Sequence, residues 1–155
     1  MWGDINMSED KSIKEILDTT GAYTGLTRGV SMHPLIHELR DNIIVVKNKE
    51  RLKKYDVPVY EINGKYIMHR VVKVCDDHYV IVGDNRVEKE YITDDKICGV
   101  LVGFYKNGKH YVDCQNSFWY KLYSRLWVAL LPIRPLIVFL MRCFGKIRRI
   151  FKKGR

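Results

Sequence analysis

"VYEINGKYIMHRV", residues 59 to 71, decides the fold class. Two runs rich in β-branched and aromatic residues flank Asn63-Gly64, the pair that best tolerates the positive φ angles of a two-residue hairpin turn. The spacing predicts an antiparallel hairpin with His69 on its second strand. The same texture extends outward from it: "NIIVVK", "VPVYEI", "YIMHRVVKV", "HYVIVGD" and "KICGVLVGFY" are short apolar runs. Asp76-Asp77, Gly83-Asp84-Asn85 and Asn107-Gly108 mark the turns between them. No run alternates with a long helix, so a mainly antiparallel sheet or partly closed barrel is expected over residues 21 to 113.

Helices are expected only at the two ends. Residues 1 to 20 read as an amphipathic helix, capped by Ser8, with Ile13, Ile16 and Leu17 on one face and Gly21 as its stop. Residues 114 to 155 hold ten Lys and Arg and no acid, whereas residues 1 to 113 hold 17 basic against 18 acidic side chains. The net charge of +9 therefore belongs to the tail. Between Arg125 and Arg142 the tail is apolar or proline except for Arg134. Those 16 residues fall short of the ~20 that a spanning helix wants, and Pro132 and Pro135 interrupt them. The expected partner is an anionic membrane surface. The helical tail would lie on it with Trp119, Tyr120 and Trp127 at headgroup level, and packing of the tail on the body is the alternative. Nucleic acid is disfavoured as a partner, because bases would need exposed contacts beyond this oily run.

The polar, acidic N-terminus lacks the basic and apolar regions of a secretory leader. With basic residues flanking the apolar run, this leads to an expectation of attachment at the cytoplasmic face of a membrane. Cys75, Cys98, Cys114 and Cys143 form no CxxC pair. Neither a zinc ribbon nor a redox motif is expected, and the thiols read as small reduced hydrophobes; no metal or cofactor is called for.

Chemistry is suggested by "RGVSMHPLIHELRD", residues 28 to 41. A serine becomes a nucleophile only when a base takes its proton and donors hold the oxyanion. His33 and His37 are too close in sequence to turn back onto Ser31, whereas His69 lies 38 residues beyond it, on the second strand of the hairpin, and is a candidate base.

The ordered series "GVSMHPLI", "DNIIVV", "YIMHRVVKV", "YVIVGDN" and "ICGVLVGF" resembles the type I signal peptidase superfamily of serine peptidases, over roughly residues 21 to 105. The resemblance implies a β fold of that type and a Ser31 nucleophile, with Met32 and Pro34 shaping the turn beside the substrate. His69, followed by Arg70, falls at the base position, as in the endoplasmic-reticulum and archaeal branch; the usual bacterial branch has lysine there. Asp41 matches the acid after the nucleophile box, although Arg40 stands where a glycine is usual. Gly83, Asp84 and Asn85 match the GDN box. Asp84 is the first candidate to orient His69, and Glu90, six residues on, is the alternative. The Ser31 N–H would be one oxyanion donor, but Gly29 replaces the hydroxyl residue of bacterial relatives. The activity implied is serine endopeptidase cleavage of leader-type peptides. A non-catalytic peptide- or membrane-binding module on the same fold is the alternative, and a self-cleaving repressor would need more than the 30 residues ahead of Ser31.

Overall fold

The computed structural model describes residues 12 to 137, 139 and 140. Ser8 and Cys143 lie outside them. The first helix, α1 (Ile13–Thr20), is capped by Ser12, whose hydroxyl accepts from the Glu15 N–H while the Glu15 carboxylate accepts from the Ser12 N–H. This reciprocal box starts the described helix at Ile13, not next to Ser8. Gly21, at φ 78°, ends it by donating to the Leu17 carbonyl. Ile13 and Leu17 are driven into the core, so the helix lies on the sheet through one face.

Among the described residues nine strands follow: β1 (Ala22–Leu26), β2 (Asn42–Lys47), β3 (Pro58–Ile62), β4 (Lys65–Met68), β5 (Arg70–Val74), β6 (Tyr79–Val82), β7 (Glu90–Ile92), β8 (Ile97–Lys106) and β9 (His110–Asp113). The fold is mainly β, with an antiparallel sheet curled into a half-barrel. Its strand order is β1-β2-β8-β3-β4, and β9 adds to β8. A second, three-stranded sheet has the order β5-β6-β7. The expected hairpin is β3–β4, in the register Ile62↔Lys65, with Asn63 and Gly64 both at positive φ. β8, ten residues long and bent by bulges, lies between β2, which pairs with it from Gly99 to Tyr105, and β3, which pairs with it from Ile97 to Val100, while β9 pairs with Gly103 to Lys106.

One feature of the hairpin differs from expectation. β4 ends at Met68 and β5 begins at Arg70, so His69 is not a strand residue. It occupies the corner where the chain leaves the larger sheet for the smaller one.

Burial explains the strand sequences. β2 alternates, with Ile43 and Val45 inward, because only one face of it meets the core. β6 is buried at every position because both its faces are covered. Tyr79 and Ile81 join Leu52, Tyr60, Ile67 and Val71 on one side, while Val80 and Val82 meet Val72 and Val128 on the other.

Val128 belongs to the tail. Helix α2 (Phe118–Ala129), capped by Ser117, buries Tyr120, Ser124 and Val128 against the body. A 3₁₀ turn (Leu131–Ile133) then brings in Arg134, which is 1% exposed. The described part of the tail therefore packs on the β domain, and Tyr120 and Trp127 turn toward the protein, not toward a headgroup layer. Trp119 remains outside, at 75% exposure. Among the described residues no helix is long and apolar enough to cross a membrane. Cys75, Cys98 and Cys114 are unpaired and pack beside the core. Burial pushes the Cys98 thiol up to about 11 and the Cys114 thiol up to about 12, so both stay protonated at neutral pH.

Candidate active site

The turn carrying Ser31 is anchored from below and pinned from the side. Met32, Leu35 and Ile36 sit in the main core, so the residues after Ser31 act as apolar pegs. Met32 is thus a core residue, while Pro34, after a cis peptide bond, is exposed. Gly29, at φ 90°, donates its N–H to the Glu38 carboxylate at 2.7 Å and closes the base of the loop. Asn85 supplies two further restraints: its N–H reaches the Ser31 carbonyl at 2.8 Å and its side-chain amide reaches the Val30 carbonyl at 3.1 Å. The GDN box therefore holds the serine turn through backbone carbonyls.

Asp41 ends the same loop as a fully buried carboxylate. It accepts from the His37 and Asn107 N–H groups and from the Arg40 guanidinium. Burial works against its charge, but these donors outweigh burial and hold its pKa at about 2. Arg40, in place of the usual glycine, thus supplies the cation that keeps Asp41 ionised. The His33 and His37 rings lie 4.4 Å apart and tilted by 31°, and His37 contacts Arg40 and Asp41.

His69 is held through one edge of its ring. Its Nδ1 lies 3.0 Å from the Tyr60 hydroxyl and 3.4 Å from Glu90 Oε1, and Tyr60 also touches Glu90 Oε2 at 2.6 Å. Burial pushes the Tyr60 phenol well above its ordinary value and the neighbouring carboxylate pushes it further, so Tyr60 keeps its proton and donates it to Glu90. The phenolic oxygen then has only lone pairs to offer His69, which makes Nδ1–H the donor. Burial opposes the charge of Glu90, yet the hydrogen bonds from His69 and Tyr60 prevail and keep its pKa below the usual carboxylate range. The tautomer selected leaves Nε2 as a lone pair, the form a general base needs.

Gly83 places that free edge next to the serine turn. A Cβ at Gly83 would lie 2.9 Å from the Ser31 carbonyl oxygen, 3.0 Å from His69 Cδ2 and 2.8 Å from Arg86 Cγ. Cδ2 is bonded to Nε2, so the Nε2 side of the ring, the Ser31 backbone and the Arg86 side chain meet around one point. Only glycine leaves room for that junction.

Asp84 does not stand behind His69. Both its oxygens take the Arg70 guanidinium, at 2.9 and 2.8 Å, and the Tyr123 hydroxyl adds a third hydrogen bond at 3.1 Å. Neither Arg70 nor Asp84 is exposed to solvent. The physical reason is alternation: adjacent residues in extended chain point to opposite sides, so the acid serving Arg70 is not the acid serving His69. Of the two candidates, the one in contact with His69 is Glu90.

The tail completes the back of the site. Arg70 donates to Ser124 Oγ at 2.8 Å and contacts the Tyr120 hydroxyl at 3.3 Å. Trp127 Nε1 binds the Asp84 carbonyl at 2.9 Å, and Arg134 reaches the carbonyls of Gly83 and Trp127. Tyr60 and Ser124 have no counterpart among the residues singled out from the sequence, and Tyr120, Trp127 and Arg134 are read there only as parts of a membrane-facing tail; their place at the site becomes recognisable only through partners distant along the chain.

Among the described residues no group of three or more His, Cys, Asp or Glu side chains is arranged to hold a metal ion. Searches against protein-family models, curated proteins and solved structures returned no match to this chain.

Proposed function

We propose that this protein is a serine endopeptidase that cleaves leader-type peptides through a covalent acyl intermediate on Ser31. The observation that carries the reading is the Gly83 junction, where the Cδ2–Nε2 edge of His69 adjoins the Ser31 turn while Tyr60 and Glu90 occupy the other edge.

In the proposed reaction His69 Nε2 takes the Ser31 hydroxyl proton as Oγ bonds to the scissile carbonyl carbon. Glu90 stabilises the imidazolium formed, and the Ser31 N–H stabilises the oxyanion. The imidazolium then gives its proton to the departing amine as the C–N bond breaks. Water, deprotonated by the same nitrogen, then attacks the acyl carbon, the bond to Ser31 Oγ breaks, and the imidazolium returns its proton to Oγ as the acid product leaves. Asp84 and Arg70 have a positioning role, holding the GDN turn from behind.

An extended substrate suits β4, which among the described residues has a strand neighbour on one side only and leads directly into His69. The proposed location is an anionic membrane surface at the cytoplasmic face. Support comes from the outward side of the tail, where Phe118, Trp119, Leu126, Leu136 and Phe139 are all more than half exposed.

Incubation with a leader-containing peptide tests the chemistry. Cleavage by the native chain that is lost in both Ser31→Ala and His69→Ala is expected, and cleavage that survives both refutes the assignment. One observation favours a second reading, a peptide-binding module without turnover: Ser31 is only 5% exposed. That reading predicts peptide affinity with no product, unchanged by Ser31→Ala.

A further inference from the structure

A cavity of about 690 Å³ opens on a different face, lined by none of Ser31, His69, Gly83 or Glu90. Its walls are the segment between β2 and β3, the first turns of α2 and the middle of β8. Seven of its lining residues are lysine or arginine, against the two acids Glu50 and Asp56. Two of the cations have partners: Lys47 pairs with Asp18, and Arg51 reaches Asp94. Among the described residues Lys49, Lys53, Lys54, Lys121 and Arg125 form no ion pair with a carboxylate.

The floor of the cavity adds to this charge pattern. Ser124 accepts from the buried Arg70, so its own hydroxyl proton is free to point elsewhere, and its side chain lines the cavity. Behind the floor two buried guanidiniums, Arg70 and Arg134, face the single carboxylate Asp84. The interior on that side is therefore positive as well. Convergent positive charge on a concave, low-dielectric wall concentrates anions.

From this convergence we infer a binding site for a phosphate-bearing ligand with more than one negative charge. The volume suits a small ligand or a lipid headgroup. Single-stranded nucleic acid fits less well because the lining offers bases no open aromatic platform: Tyr120 is buried, and the Lys54 ammonium lies over the Tyr55 ring. The site stands independently of the hydrolytic chemistry proposed for Ser31.

The test uses the full chain at low salt, with pyrophosphate as the soluble probe and vesicles of equal phosphatidylcholine and phosphatidylglycerol as the lipid probe. The variant is Lys49→Glu combined with Lys121→Glu, two exposed positions on facing walls. The control, Lys65→Glu with Lys109→Glu, makes the same change in net charge at two hairpin turns outside the cavity. Binding of either probe should weaken on the order of tenfold or more in the cavity variant and by much less in the control. Loss confined to vesicles identifies a lipid headgroup as the source, and loss of pyrophosphate binding identifies the phosphate group itself. Three results overturn the site: the native chain binds neither probe, the control weakens binding as much as the cavity variant does, or an oligothymidylate competes with both probes and binds more tightly. Vesicle binding lost on Trp119→Ala but unchanged in the cavity variant also overturns it as a lipid site, while leaving membrane attachment through the tail intact.

Discussion

Replacing Gly83 with alanine separates the site from the scaffold. The new methyl carbon would stand 2.9 Å from the Ser31 carbonyl oxygen, 3.0 Å from His69 Cδ2 and 2.8 Å from Arg86 Cγ, whereas ordinary contact begins at 3.4 Å. The Arg86 atom in contact is Cγ, close to its own backbone, so that side chain must shift at its root, and the Ser31 carbonyl is backbone pinned by the Asn85 N–H. Relieving the Ser31 and His69 contacts opens the space between serine turn and imidazole by up to about 1 Å, and misplacement of that size costs roughly 100-fold in rate. Overpacking of this kind costs about 1–3 kcal/mol in stability, so the variant remains folded if the native chain has ordinary stability. The control is Gly64→Ala at the hairpin turn. A Cβ there meets nothing within 4 Å, but φ is +75°, which costs an L-residue about 1–2 kcal/mol. Denaturant midpoints and kcat/KM on a leader peptide should show both variants modestly destabilised and only Gly83→Ala inactive. Equal activity of the two variants would refute the claim that the junction organises catalysis.

Other perturbations follow from the same geometry. Asp84→Asn leaves Arg70 as an uncompensated buried charge and should cost about 3–5 kcal/mol by chemical denaturation, with Arg70→Met/Asp84→Leu recovering much of the loss. Glu90→Gln should lower kcat more than stability and should increase the Nε2–H tautomer of His69 in ¹⁵N spectra; an unchanged tautomer would mean that Tyr60 alone sets it. Asp41, held at about 2 when folded against an ordinary 3.8, makes a contribution to stability that is full above the ordinary value and is lost as pH falls toward 2. Acid unfolding followed by circular dichroism should therefore lose part of its slope between those values in Asp41→Asn.

The sequence made the hairpin legible because Asn63-Gly64 has a single good use, and β2 and β8 because long apolar runs have few alternatives. β1, β7 and β9 were missed. "AYTGL" contains a glycine and "EYI" is three residues long, and both acquire strand geometry from their neighbours: β1 pairs with β2 along its whole length, and β7 with β6. The start of α1 was visible in principle, since Ser12 and Glu15 have capping-box spacing, but Ser8 also precedes acids. At the site, Ser31, His69 and the GDN box could be paired by order. Which acid serves His69 and which serves Arg70 could not, because it depends on His69 sitting at a corner between sheets. Arg134 reads as a charge spoiling an apolar span; its partner, the Gly83 carbonyl, is 51 residues away.

The central claim, that His69 activates Ser31 for acyl transfer, is tested most directly by trapping the intermediate. A peptide activated ester is mixed with the native chain, quenched in acid during the first turnover and digested for mass spectrometry. The expected result is an acyl mass on the peptide containing Ser31, absent in Ser31→Ala and strongly reduced in His69→Ala. Turnover of the ester without any acyl mass on Ser31, or an adduct formed equally well without His69, would contradict the mechanism.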